Sequence, residues 1–320
     1  MRDVMKDESL TLPLPKHWSV FQRWKNHFFY YCIWAIWAFF TFIPMCIAIP
    51  LCEFMGRLSY HVARKYRNRA FKHLSEALGA EYSSKEIHSI IKNISRHLGR
   101  SCAEALHAGH IIKNFSRYVE FEGDSKETYL AAIRSGKGVV FCGGHIGSWE
   151  LFAQIVAHVG TPIWIVARKT FHPWVTRFTD RLRSAGGVRS LWRDKVPLAD
   201  AIAEVLHRGE VMGFLIDQDV KVPGVFVPFF EKLAYTPSTP ARLALKFDAA
   251  LIVGSMRRNG KRHYIKIEQI DVPRDLPKEQ AVYQITAEIT SRLEQAIRSA
   301  PEQWVWMHRR WKTQPGIGQR

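Results

Sequence analysis

From Phe28 to Cys52 the chain carries no charged residue: FFYYCIWAIWAFFTFIPMCIAIPLC. As a single helix such a run is long enough for a hydrocarbon core of about 30 Å, so it limits the possible folds more than any other segment. A cleaved signal peptide has a shorter apolar region and a small-residue cleavage site. Here Leu51-Cys52-Glu53-Phe54 offers no such site, and 27 mostly polar residues precede the run. The run is therefore expected to stay in place as an N-terminal membrane-anchor helix. Pro44 and Pro50 would kink or end it. The helical part then covers Phe28 to about Ile43, and two placements stay open, across the bilayer or along its interface. Trp18, Trp24, Trp34, Trp37, Tyr30 and Tyr31 fit an aromatic belt, and Arg57, Arg64, Lys65, Arg67, Arg69 and Lys72 follow closely. This positive cluster favours a cytoplasmic side for the rest of the chain. The alternative is a buried core helix followed by a solvated basic face.

The remainder is globular by composition. Of 320 residues 47% are hydrophobic and 23% charged, which excludes a disordered chain. Lysine and arginine number 46 against 29 acidic residues, a net charge of +17 that attracts phosphate, anionic lipid or an acidic protein. The basic residues are dispersed and no nucleic-acid-binding module is recognisable, so no nucleic-acid partner is expected. Five cysteines without a Cys-x-x-Cys pair argue against a zinc ribbon or a disulfide framework.

Helical spacing of Ile87, Ile90, Ile91, Ile94 and Leu98 predicts helix within Arg64 to about Leu106, its second part starting at the capping box Ser83-Ser84-Lys85-Glu86. Beyond Tyr118 short apolar runs at 138–142, 162–166, 211–216 and 250–254 read as buried strands. Helices at 149–159, 174–185 and 197–207 lie between them, a more exposed strand covers 264–270, and a long amphipathic helix covers 279–300. Alternation of this kind predicts an α/β fold, a sheet flanked by helices.

The first of those strands runs into Gly143-Gly144-His145-Ile146-Gly147-Ser148-Trp149-Glu150. On one continuous helix His145 and Glu150 would stand about 140° apart, on poorly matched faces. The glycines instead allow a tight strand-to-helix turn with His145 in it and Glu150 near the helix start, so that the carboxylate could bind one imidazole nitrogen. The other nitrogen would be open to take a proton from a hydroxyl. Sites of α/β sheets also gather at that edge. Ser148 lacks the glycine that completes Gly-x-Ser-x-Gly, and Cys142, inside an apolar strand, reads as a buried inert thiol.

This block resembles the His-x4-Asp/Glu motif of the lysophospholipid acyltransferase superfamily, and more closely the lipid A late acyltransferases within it. Further blocks agree: Arg67-Asn68, Arg96-His97-Leu98-Gly99-Arg100 with Glu104, Arg168, Asp217-Gln218-Asp219, Phe229-Phe230 with Thr236-Pro237, and the run from Pro301 to Lys312 that contains Gln303-Trp304-Val305-Trp306-Met307-His308-Arg309-Arg310. The resemblance covers nearly the whole chain. It implies a mixed sheet flanked by helices with an N-terminal membrane anchor, at the cytoplasmic face of a bacterial inner membrane. It divides the chain into a membrane-associated segment 1–60, an acyltransferase domain 61–312 and a flexible tail 313–320.

The implied activity moves a fatty acyl chain, of 12 to 14 carbons, from acyl carrier protein, sometimes from coenzyme A, to a hydroxyl on an acyl chain of a phosphorylated glycolipid, a lipid A precursor. No cofactor or metal is implied. His145 would be the general base and Glu150 would orient it. Arg168 is the candidate for stabilising the oxyanion, and Arg168, Lys169, Arg309 and Arg310 are candidates for contacts with the acidic donor and the lipid phosphates. Two adjacent arginines on an extended segment point opposite ways, so either Arg309 or Arg310 should face the core or the cleft. Asp217 and Asp219 are expected to hold arginines or loop backbone rather than a metal. Another glycolipid or a lysophospholipid is an alternative acceptor, and a basic membrane-tethered binding protein is the alternative outside catalysis.

Overall fold

A computed structural model describes residues 19–167, 173–192 and 197–316. The apolar run is shared between two helices, α1 (Val20–Phe42) and α2 (Met45–Val62), which part at Pro44. Proline has no N–H to continue a helix and its ring crowds the preceding turn. Within α1 the run spans Phe28–Phe42, about 22 Å at 1.5 Å per residue. Arg23 and Lys25 lie in α1, and Glu53 and Arg57 in α2. No helix among the described residues is long and apolar enough to cross a membrane, so the expected anchor helix is not supported as a span. Both helices nevertheless expose large apolar side chains, among them Trp24, Phe28, Trp34, Phe42, Phe54 and Leu58.

Helices α3 (Arg64–Leu78) and α4 (Ser84–Leu106) follow, the latter started by the predicted capping box of Ser83 and Glu86. Two glycines set how closely α2 crosses α4: a Cβ on Gly56 would lie 2.2 Å from the Ser95 carbonyl oxygen, and one on Gly99 2.1 Å from that of Cys52. Short helices α5 (Ala108–Lys113) and α6 (Phe115–Tyr118) lead to the sheet. Its elements run β1 (Val119–Phe121), α7 (Ser125–Arg134), β2 (Val139–Gly143), α8 (Trp149–Val159), β3 (Ile163–Ala167), α9 (Pro173–Ala185), β4 (Val188–Trp192), α10 (Leu198–His207) and β5 (Val211–Leu215). A hairpin of β6 (Gly224–Phe229) and β7 (Lys232–Pro237), then α11 (Thr239–Phe247), β8 (Ala250–Asn259), β9 (Arg262–Gln269) and α12 (Lys278–Ser299) complete it.

The sheet has seven strands in the order β1-β9-β8-β2-β5-β3-β4. Neighbours run parallel except β8 and β9, which are antiparallel, so the expected mixed sheet with flanking helices is what forms. Strand β2 is buried on both faces. Val140 and Cys142 point into a core shared with α3, α4, α10, α11 and α12, while Val139 and Phe141 point into a second core with α7 and α8. That two-sided burial is why it reads as a continuous apolar run.

Several parts of the fold escaped the sequence patterns, among them the helices α5, α6, α7 and α11. Strand β1 has only three residues, and β4 alternates through Arg189 and Ser190. The β6–β7 hairpin turns at Phe230 and Glu231, both left-handed (φ 51° and 60°), where Asn-Gly is the usual signal. Burial of the Phe230 ring against Trp306, and a 2.6 Å bond from the Phe230 amide to Glu294 Oε2, offset the strain of that backbone.

Candidate active site

Strand register brings the central pair together. In the parallel pairing of β2 with β5, Gly143 lies opposite Leu215, so two residues beyond each strand end His145 and Asp217 are level. The His145 amide donates to Asp217 Oδ2 at 2.7 Å, and its ring Nδ1 lies 2.8 Å from Asp217 Oδ1. Trp304 Nε1 donates to Oδ2 at 2.8 Å. Gly144 permits this approach, since a Cβ there would stand 3.3 Å from the Asp217 carboxyl carbon. With Asp217 ionised, all its partners must be donors, which places the His145 proton on Nδ1 and leaves the Nε2 lone pair available. The Gln218 amide approaches the same Nδ1 at 3.2 Å, and Trp149 packs edge-on against the ring with centroids 5.3 Å apart.

The electrostatics follow from burial. Desolvation disfavours the His145 imidazolium, but the facing Asp217 outweighs it, with a smaller contribution from Glu150, and the ring pKa lies above the ordinary histidine value. Asp217 is fully enclosed, which opposes its ionisation, yet His145 and the Trp304 indole hold its pKa below the ordinary aspartate value.

Glu150 does not touch the ring. It sits in the first turn of α8 and forms a bidentate pair with Arg183 of α9, with Nε to Oε2 at 2.9 Å and Nη2 to Oε1 at 2.5 Å. The carboxylate contact expected of Glu150 is therefore made by Asp217, because α8 leaves the turn in a direction that carries Glu150 towards α9.

The other predicted residues disperse. Asp219 is buried and accepts from the Thr313 amide at 2.9 Å and hydroxyl at 3.1 Å, with Lys312 Nζ 3.5 Å away, so it fastens the C-terminal segment. Arg309 is exposed whereas Arg310 is completely buried, as opposed neighbours should be. The Arg310 guanidinium donates to the Tyr235 carbonyl at 2.6 Å and the Thr236 hydroxyl at 2.5 Å and lies over the Phe229 ring. Burial pulls its pKa down to about 10, partly countered by Asp217 and Asp219. Arg310 thus braces the hairpin under Trp304 instead of facing a ligand. Arg168 and Lys169 lie outside the described residues. Cys142 is fully buried, which pushes its thiol pKa far up, and Ser148 is buried with its hydroxyl 3.4 Å from the Ser101 carbonyl oxygen. The sequence patterns gave Trp304 no role beyond its place in the C-terminal block and did not single out Arg183. An indole bond to Asp217, 87 positions away in the chain, has no local signal.

An imidazole held by a buried carboxylate at the C-terminal end of a central strand is equipped to take a proton from a hydroxyl. The family profile described as "Bacterial lipid A biosynthesis acyltransferase" matches residues 15–313. The chain belongs to that family. It is accordingly an acyltransferase. The lipid A biosynthesis palmitoleoyltransferase of Escherichia coli K12 is 27% identical to this acyltransferase over 310 residues, covering 92% of this chain and 96% of the relative. A lipid A biosynthesis acyltransferase of Shigella flexneri matches with the same identity and coverage. The phosphatidylinositol mannoside acyltransferase of Mycobacterium tuberculosis H37Rv is 30% identical over 124 residues, 38% of this chain and 39% of that protein.

Proposed function

We propose that this acyltransferase moves a fatty acyl chain from a thioester of acyl carrier protein to a hydroxyl on an acyl chain of a phosphorylated, lipid A-type glycolipid. The observation that carries the mechanism is the 2.8 Å contact of His145 Nδ1 with Asp217, from which the proton on Nδ1 follows once the aspartate is ionised. Nε2 removes the acceptor proton as its oxygen attacks the thioester carbonyl. The tetrahedral intermediate collapses with loss of the thiolate, which takes the proton from the imidazolium. Asp217 stabilises that imidazolium, the Glu150–Arg183 pair holds the start of α8 against α9, and the Glu150 carboxylate also favours the charged ring. Arg168 is the proposed partner of the oxyanion. The donor chain is proposed to have 12 to 14 carbons, and the palmitoleoyl chain in the name of the E. coli relative makes a longer one worth testing beside them.

A membrane location on the cytoplasmic face of the inner membrane accords with this acceptor. The exposed aromatic and aliphatic side chains of α1 and α2 lead into exposed Arg57, Arg64 and Lys65, a combination that suits the interface of an anionic bilayer. The mycobacterial relative favours a second acceptor class, a mannosylated phosphoinositide.

The test is transfer from lauroyl, myristoyl and palmitoleoyl acyl carrier protein, and from the matching coenzyme A esters, to a lipid A precursor, a phosphatidylinositol mannoside and a lysophospholipid, read by mass spectrometry. Product on the lipid A precursor, lost in His145→Ala, supports the proposal. Histidine-dependent product on another acceptor only would overturn the acceptor and keep the chemistry. Full activity of the variant would sink the mechanism.

A further inference from the structure

The turn from His145 to Gly147 is held from three parts of the fold: the end of β5, residues 303–304 and α4. His145 is held by Asp217, Ile146 pairs with Trp304, and the Gly147 amide donates to the Gln303 carbonyl at 2.9 Å. Gly147 is left-handed (φ 64°), and a Cβ on it would lie 2.0 Å from the Met256 carbonyl oxygen. Its own carbonyl oxygen lies 3.1 Å from Nε2 of His97, a buried residue of α4.

The tautomer of His97 follows from its neighbours. Arg258 Nη2 lies 2.5 Å from His97 Nδ1, and a guanidinium offers only donors, so Nδ1 accepts and Nε2 carries the proton that is given to Gly147. Burial and the adjacent Arg258 hold the ring neutral, its pKa near 3. Arg258 is fixed in turn by Glu104 Oε2 at 2.7 Å, while Arg100 takes Glu104 Oε1 at 2.9 Å. The Gln303 side chain closes the loop, its amide donating to the Arg258 carbonyl and its oxygen accepting from the Arg258 amide, both at 2.8 Å.

The geometry points to His97 as a positioning residue for catalysis: oriented by the Glu104–Arg258 pair, it fixes the Gly147 carbonyl and thereby the direction in which His145 presents Nε2. Burying a shared Arg100–Glu104–Arg258 ion cluster where α4 meets β8 stabilises a fold no better than an apolar packing of the same volume. What an ion network adds is one defined arrangement, delivered here two residues from the base. The inference rests on His145 acting as the general base of acyl transfer.

Two variants and two NMR measurements test it. His97→Phe keeps the ring volume but cannot donate, and His97→Gln returns an N–H near the position of Nε2. For folded protein, His97→Phe is expected to lower kcat about 30- to 100-fold with KM for donor and acceptor within about twofold, and His97→Gln to recover at least about tenfold of that loss. The His145 ring, followed by NMR of histidine-labelled protein, should titrate at a lower pH in His97→Phe. A folded His97→Phe with kcat within about threefold of wild type and an unchanged His145 titration would overturn the proposal. So would wild-type protein in which His97 titrates between pH 5 and 8 or carries its proton on Nδ1, a result that needs no variant. Absence of acyl transfer by the wild type counts against the acyl-transfer proposal itself, and the two NMR measurements then decide the positioning alone.

Discussion

His145 and Asp217 face each other at 2.8 Å because β2 and β5 are parallel neighbours whose ends are in register. The aspartate, fully enclosed, accepts from the ring, the backbone and the Trp304 indole. Its charge therefore has no competing solvent and acts directly on the His145 imidazole, and it also reaches Arg310 and His308.

Asp217→Asn should keep the fold and remove the negative partner while allowing the wrong histidine tautomer. A loss in kcat of about 10²- to 10⁴-fold is expected, with little change in KM, measured in the transfer assay.

The pH dependence has a defined sign. A base works only when neutral, so activity should rise with pH through the His145 pKa, above the ordinary 6.5. In Asp217→Asn the residual activity should have its acid limb moved to lower pH. A limb unmoved by that substitution would separate it from His145.

Glu150 and Arg183 form one unit. Glu150→Ala and Arg183→Ala should impair transfer severely and to a similar degree, and the double variant should be little worse than either, a non-additivity visible in a double-mutant cycle. Strictly additive losses would show that each side chain acts separately.

Acid should destabilise the protein before its carboxylates protonate. His97 and His263 are buried, with pKa values held near 3 and near 4, while the unfolded chain takes up protons near 6.5. Between those values the unfolded state binds more protons, so stability is present above 6.5 and is lost as pH falls, by up to roughly 2–3 kcal/mol per pH unit near pH 5. His145 works in the other direction: its raised pKa contributes stability below 6.5 that is lost as pH rises through the folded value. Urea midpoints at pH 7.5, 6 and 5 measure the balance, which should fall towards acid because two rings outweigh one.

Gly147→Ala meets both a left-handed backbone and the Met256 carbonyl. A destabilisation of at least about 2 kcal/mol is expected, together with loss of transfer. Thermal melts and activity on the same preparation check both.

Arg57, Arg64 and Lys65 adjoin the exposed apolar side chains of α2. Replacing all three by glutamine should weaken binding to anionic vesicles on the order of 100-fold, at about 1 kcal/mol each, and leave transfer to detergent-dispersed acceptor intact. Sedimentation with anionic and neutral vesicles separates the electrostatic contribution from the apolar one.

The sequence by itself determined the elements whose signals are local. Packing of apolar side chains on both faces, complete in β2 and partial in β3, made β2, β3, β5 and β8 legible as apolar runs, the Ser83–Glu86 box marked the start of α4, and Gly143-Gly144-His145 announced a strand-to-helix turn with a histidine in it. Proline chemistry also foretold the break in the N-terminal run, although not that both halves would be too short or too charged to span. Which carboxylate reaches His145 was a different kind of question. Glu150 was the near candidate along the chain, but strand order and register decide distance in space, and they place Asp217 on the ring and Glu150 on Arg183. The same holds for Trp304 on Asp217 and for His97 on Gly147: each contact joins elements brought together only by packing against the sheet, so no window of sequence contains both partners.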